Sequence, residues 1–131
     1  MADSPSIAAP KPSHRSRVTN GTVLLQNVDG RSGWARRMRD LMALHLSDLG
    51  GEATVSAAEK SIVRRIATLT VELERMEERF ATDGEADADA LDLYSRTSGN
   101  LRRLLEAIGL RRRPRDVTPD LRDYIDARPA A

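Results

Sequence analysis

"SAAEKSIVRRIATLTVELERMEERFATDGEADADALDLYSRTSGNLRRLLEAIGL" runs from Ser56 to Leu110, and the spacing of its apolar residues decides the fold. Ser56 followed by Glu59 is a capping box: the serine hydroxyl can accept the Glu59 amide while the carboxylate reaches back to the Ser56 amide. Ile62, Ile66, Leu69, Leu73, Met76 and Phe80 then recur at steps of four and three, a heptad seam on one helix face. "TDGEADAD" (Thr82–Asp89) interrupts it, with Gly84 placed to end one helix and acids gathered where the next helix dipole favours them. Ala90, Tyr94, Thr97, Leu101, Leu104 and Ile108 form a second seam with the same steps, widened by Leu105. Gly109 and Leu110 read as a Schellman-type ending with a hydrophobic contact.

Two matched seams joined by a short turn predict an antiparallel αα-hairpin, with helices over about 56–81 and 88–109. At 1.5 Å per residue the first would be roughly 40 Å long. Upstream, Trp34, Met38, Leu41, Met42, His45 and Leu49 make one apolar stripe, predicting a helix over about 33–49 that ends at Gly50-Gly51. The fold class expected is all-α: a long hairpin, an N-terminal amphipathic helix and a short C-terminal helix. That last helix is placed at about 119–127, with Thr118 as cap, Pro119 at its first position, and Leu121, Tyr124 and Ile125 as its apolar face. Residues 21–109 are read as the helical domain and 110–131 as a basic C-terminal arm. Residues 1–20, with three of the six prolines, are read as a disordered basic arm. "TVLLQNVDGRSG" (Thr22–Gly33) is read as an ordered loop, with a turn at Asp29-Gly30.

Composition agrees with helices packed side by side. Aromatics are 3% against 40% hydrophobic residues, too few for the core of a β-sandwich. The absence of cysteine excludes disulfides and Cys-ligated zinc or iron–sulfur centres. The apolar runs are too short for a membrane span, and the start lacks the apolar core of a signal peptide, so a cytoplasmic protein without membrane contact is expected. No phosphate loop, no HExxH and no supported nucleophile are present, so the chain is expected not to be an enzyme and to need no cofactor. His45 has no second ligand at metal spacing. Asp87, Asp89 and Asp92 lack the EF-hand pattern and read as solvated acids at a helix start, so no metal is expected.

Charge is segregated along the chain. Lys11–Arg39 holds seven basic residues and one acid, Glu72–Asp92 nine acids and two arginines, and Arg96–Arg115 seven arginines and one acid. Folded as a hairpin, these segments would make a rod that is acidic at its turn and basic at its open end. The basic end is expected to gather the first helix too, and to present Arg36, Arg37, Arg39, Arg64, Arg65, Arg102, Arg103, Arg111, Arg112, Arg113 and Arg115 to a phosphate backbone. The Arg111–Arg115 run lies a rod's length from the acidic turn, so its partner is expected outside the chain. "SDLGGEATVSAAEKSIVRR" (Ser47–Arg65) has the glycine turn of a helix-turn-helix, but its connection exceeds the usual three or four residues. DNA contact is therefore read as backbone-dominated. A two-helix hairpin buries one side only, so a homo-oligomer is expected.

"LYSRTSGNLRRLLEAIGLRRRPRD" (Leu93–Asp116) resembles the C-terminal signature of small subunits of phage terminases: a Leu/Arg-rich helix, a Leu-Gly-Leu-like step and a Pro/Arg tail. Tyr94, Leu101, Leu104, Leu105, Gly109, Leu110, Pro114 and Arg115 carry the likeness. The chain also resembles short proteins of alphaproteobacteria and their prophages that combine "SRVTNG" (Ser16–Gly21) with "RDVTP" (Arg115–Pro119). The terminase resemblance implies a non-catalytic, ring-forming component that recognises viral DNA and presents it to a large ATPase–nuclease subunit. The alternative carried beside it is a helical protein–protein adaptor with no nucleic-acid role.

Overall fold

The computed structural model describes residues 25–114, and among these the protein is all-helical, with three helices and no strand. The expected arm at 1–20, the helix at 119–127 and Arg115 lie outside the described residues. Helix α1 spans Gly33–Asp48, α2 Ala57–Asp83 and α3 Ala88–Ile108.

Local chemistry sets most of the boundaries. Asp29 accepts from the Arg31 amide at 2.9 Å and from the Ser32 amide at 3.1 Å, closing the turn that delivers Ser32 as N-cap of α1. The Ser32 hydroxyl then accepts the Ala35 amide. Gly50 and Gly51 both have φ near +100°, a conformation open to glycine, and the Gly51 amide returns to the Leu46 carbonyl. The capping box is formed at both of its bonds: Glu59 N to Ser56 Oγ at 3.2 Å, and Ser56 N to Glu59 Oε2 at 2.9 Å. Helix α2 runs two residues past Ala81 and stops at Gly84 in the left-handed region. Asp87 caps α3 through the Ala90 amide.

The end of α3 departs from expectation. Gly109 has φ 91° and ψ 138°, outside the left-handed helical well a Schellman cap needs, and Leu110 is 72% exposed instead of folding back. The Ile108 carbonyl is taken by the Arg113 guanidinium at 3.1 Å. A charged side chain caps this helix from five residues downstream.

Helix α2 lies between the other two, its contacts divided between α1 and α3. Ile66, Leu73 and Met76 of its heptad seam are buried, while Ile62, Leu69 and Phe80 are half-buried. A second stripe, Val63, Ala67 and Val71, is equally buried, and Ala67 and Val71 of it meet Met38, Leu41, Met42 and Trp34 of α1. Together with Leu49, Val55 and Ile108, Val63 and Ile66 make a second cluster, joined by half-buried Leu101, Leu104 and Leu105. Each fully buried Val, Ile or Met contributes ~1.5–3 kcal/mol by leaving water, so these few positions carry most of the hydrophobic stability.

Contacts along α2 and α3 fix which ends meet. Beside the connecting loop, the Phe80 and Tyr94 rings pack edge to face at 5.9 Å, and the Tyr94 hydroxyl donates to Glu77 at 2.8 Å. Away from the loop, Ile62 and Ile66 meet Leu101, Leu104 and Ile108. The first is called the loop end below, and the second the open end.

Candidate nucleic-acid interface

The predicted arginines fall into two groups that the structure holds apart. Trp34 Nε1 donates to Glu72 at 2.8 Å, and Arg37 makes a bidentate pair with Glu74 at 3.0 and 2.7 Å. The start of α1 therefore lies beside the middle of α2, while its second half, through Met42, Leu46 and the C-cap Leu49, reaches the open end. This corrects the expectation that Arg36, Arg37 and Arg39 gather with the other arginines. Helix α1 packs along α2 through Met38, Leu41, Ala67 and Val71, and that packing carries its first turns toward the acids. Arg37 and Glu74 stabilise each other's charged forms: the shared hydrogen bond raises the guanidinium above its ordinary value and holds the carboxyl below its own. The Arg39 guanidinium turns to backbone, donating to the Ala35 and Gly30 carbonyls. Arg36 is exposed.

Arg64, Arg65, Arg102, Arg103, Arg111, Arg112 and Arg113 do share the open end, because their helical neighbours Val63, Ile66, Leu101 and Ile108 form one cluster. They are not all available. Arg113 Nη1 stands 2.8 Å from Glu59, its Nη2 reaches the Ile108 carbonyl, and its amide donates to the Asp48 carbonyl at 2.6 Å. Arg112 faces Asp48 at 3.7 Å, and Arg102 pairs with Glu106 one turn on. The run expected to find its partner outside the chain thus has two of its members on the chain's own carboxylates. Glu59 is held below the usual carboxylate range, first by the Ser56 amide and then by Arg113.

Arg111 has no carboxylate partner among the described residues, nor do Arg64, Arg65 and Arg103. Arg65 donates to Ser61 and Arg103 to Asn100, so both guanidinium groups keep unused donors. Counting Lys60, the open end carries eight basic side chains against Asp48, Glu52, Glu59 and Glu106. Among the described residues its cationic surplus survives the internal pairing, smaller than the eleven arginines expected there would give.

At the loop end, Glu77, Glu78, Asp83, Glu85, Asp87, Asp89 and Asp92 face only Arg79 and Arg96. The Glu77 carboxylate holds the Tyr94 phenol above its ordinary value by accepting its proton in a hydrogen bond. Among the described residues no three His, Asp or Glu side chains converge as a metal site requires. None of the described helices is long and apolar enough to cross a membrane. His45 is half-buried on the α1 stripe.

Sequence reasoning missed the roles of Asp48 and Glu59 as internal partners of the arginine run. Asp48 carried a local signal, an acid at the C-terminal end of α1, where the dipole disfavours it unless a cation lies near.

In comparisons with known proteins, no family model, no curated protein and no solved structure matches this chain.

Proposed function

We propose that this protein is a non-enzymatic, oligomeric DNA-binding component, similar to the small subunit of a phage terminase. In this reading α2 and α3 form a rigid antiparallel hairpin whose open end rests on the phosphate backbone of duplex DNA. The observation that carries it is the set Arg64, Arg65, Arg103 and Arg111, which have no carboxylate partner among the described residues, at one end of the helical core, with acids at the other. Arginine forks suit phosphate oxygens, and a field of opposite sign at the far end orients the approach. No base-reading helix is assigned, so binding is expected to be indifferent to sequence. The setting is cytoplasmic, and a large packaging subunit is the partner the resemblance of Leu93–Asp116 implies. Titration against duplex DNA at rising salt tests the reading, and absence of binding at low salt removes it.

A second reading, a helical adaptor, is favoured by a different observation. Leu91, Leu93 and Leu110 are each at least half exposed. Arg112 and Arg113 are held by the chain itself, as in a surface finished for protein contact. Capture of an acidic protein partner by a chain that ignores DNA would select it.

A further inference from the structure

We infer that a second copy of this chain packs antiparallel along the outer side of α3, related by a two-fold axis near the middle of that helix. The inference deepens the oligomeric part of the reading above and names its surface.

Helix α3 is the least covered of the three. Of its 21 residues only Ile108 is buried, and α2 is the one helix packed on it among the described residues. Leu91 and Leu93 stand 50% and 52% exposed on either flank of its first half. Near its middle sits Gly99, with nothing within 4 Å of where a Cβ would be. A mid-helix glycine disfavours the helix relative to alanine, and nothing among the described residues uses the space it leaves. A second backbone can approach there.

Charge selects the occupant and its direction. Asp89 and Asp92 lie in the first turns of α3, where Arg96 pairs with Asp92 at 2.8 Å. Arg102 and Arg103 lie in its last turns, where Glu106 pairs with Arg102 at 2.8 Å. The first half thus keeps a net negative charge and the last half a net positive one. Asp92 and Arg103 are eleven residues apart, about 16 Å along the axis, too far to pair within one helix. A two-fold axis near the midpoint brings the acids of each copy to the arginines of the other, twice over. A parallel pairing would set like charges side by side. A foreign basic partner would match only the first half of α3 and a foreign acidic one only the second. A copy of the chain matches both.

Sedimentation of the full chain without DNA tests this, so failure of DNA binding has no bearing on the outcome. The wild type is expected at twice the chain mass. D89R/D92R makes both ends of α3 basic and R102E/R103E makes both acidic. Each variant alone should dimerise at least about tenfold more weakly, while an equimolar mixture should form a one-to-one heterodimer. A wild type that stays monomeric overturns the inference and leaves α3 to a foreign protein or to the chain beyond Pro114. Variants that still dimerise alone, or a mixture that does not pair, overturn it too. Should a reversal variant lose its helical circular dichroism, cross-linking replaces it, since the chain has no cysteine of its own. With a short bis-maleimide Ser95→Cys should cross-link and Ala107→Cys should not. Equal cross-linking at both would mean a parallel pair and sink the proposal.

Discussion

Arg113 and Glu59 stand 2.8 Å apart across 54 positions of sequence, and Glu59 is at the same time the carboxylate of the α2 capping box. Through its other groups Arg113 also holds the Asp48 carbonyl at the end of α1 and the Ile108 carbonyl at the end of α3. One residue therefore ties together the ends of three helices. It belongs to a run that its composition alone would assign to a ligand.

Stability should separate the members of that run. Arg113→Ala removes a charge-assisted bond and uncaps α3, and is expected to lower Tm by about 2–5 °C, the scale of one partly exposed interaction in a domain of this size. Arg111→Ala, without a carboxylate partner among the described residues, should leave Tm within about a degree. Thermal melts followed by circular dichroism decide it. Equal effects at both positions would show that the two are not distinguished as described.

Acid should weaken the same tie. The folded-state pKa of Glu59 is lowered, so its contribution is full above the ordinary carboxylate value and is lost as pH falls through the lowered folded value. Glu59→Gln keeps an N3 side chain able to cap but carries no charge. The Tm gap between wild type and Glu59→Gln should be open at about pH 6 and close toward about pH 3. Glu74, lowered by Arg37, adds to the wild-type loss with the same sign. A gap that widens in acid would reverse the assignment.

The legible parts of this fold are the ones written in local sequence. Ser56 and Glu59 are three residues apart, Gly84 follows its helix directly, and the seams repeat every few positions, so each announces itself within one turn. The second stripe on α2 was harder to see. Val63, Ala67 and Val71 lie one residue beyond seam positions Ile62 and Ile66 or two beyond Leu69, and only the packing of α1 shows that they are core. The pairing of Arg37 with Glu74 follows from that packing. The partners of the arginine run are not legible locally, because Asp48 and Glu59 lie far from it along the chain and are brought beside it only by the packing of the helices.

Core positions on the central helix and on α3 should differ in cost. Ile66 is fully buried in the cluster it shares with Leu49, Val55, Val63 and Ile108, and Ile66→Ala is expected to cost about 2–5 kcal/mol in urea unfolding. Leu101 occupies an equivalent seam position on α3 but is only half-buried, so Leu101→Ala should cost about 1–2 kcal/mol. A Leu101 cost equal to that of Ile66 would mean that the seam between α2 and α3 closes over Leu101 in solution as fully as the core closes over Ile66.

DNA binding, if it rests on the open end, should carry the count of arginines still unengaged. About six phosphate contacts would give a log–log salt slope near −5, whereas Arg64, Arg65 and Arg111, the three left once the α3 pairing takes Arg103, give about −2.7, at roughly −0.9 for each contact. Replacing these three by alanine should flatten the slope to near zero and weaken binding alike on unrelated duplexes. Arg37→Ala removes as much charge from a side chain committed to Glu74, beside the middle of α2, and should leave the slope unchanged. Fluorescence anisotropy across a salt series measures both. If Arg37→Ala flattens the slope as much as an open-end arginine does, the phosphate surface runs along α1, and the open end loses its claim to it.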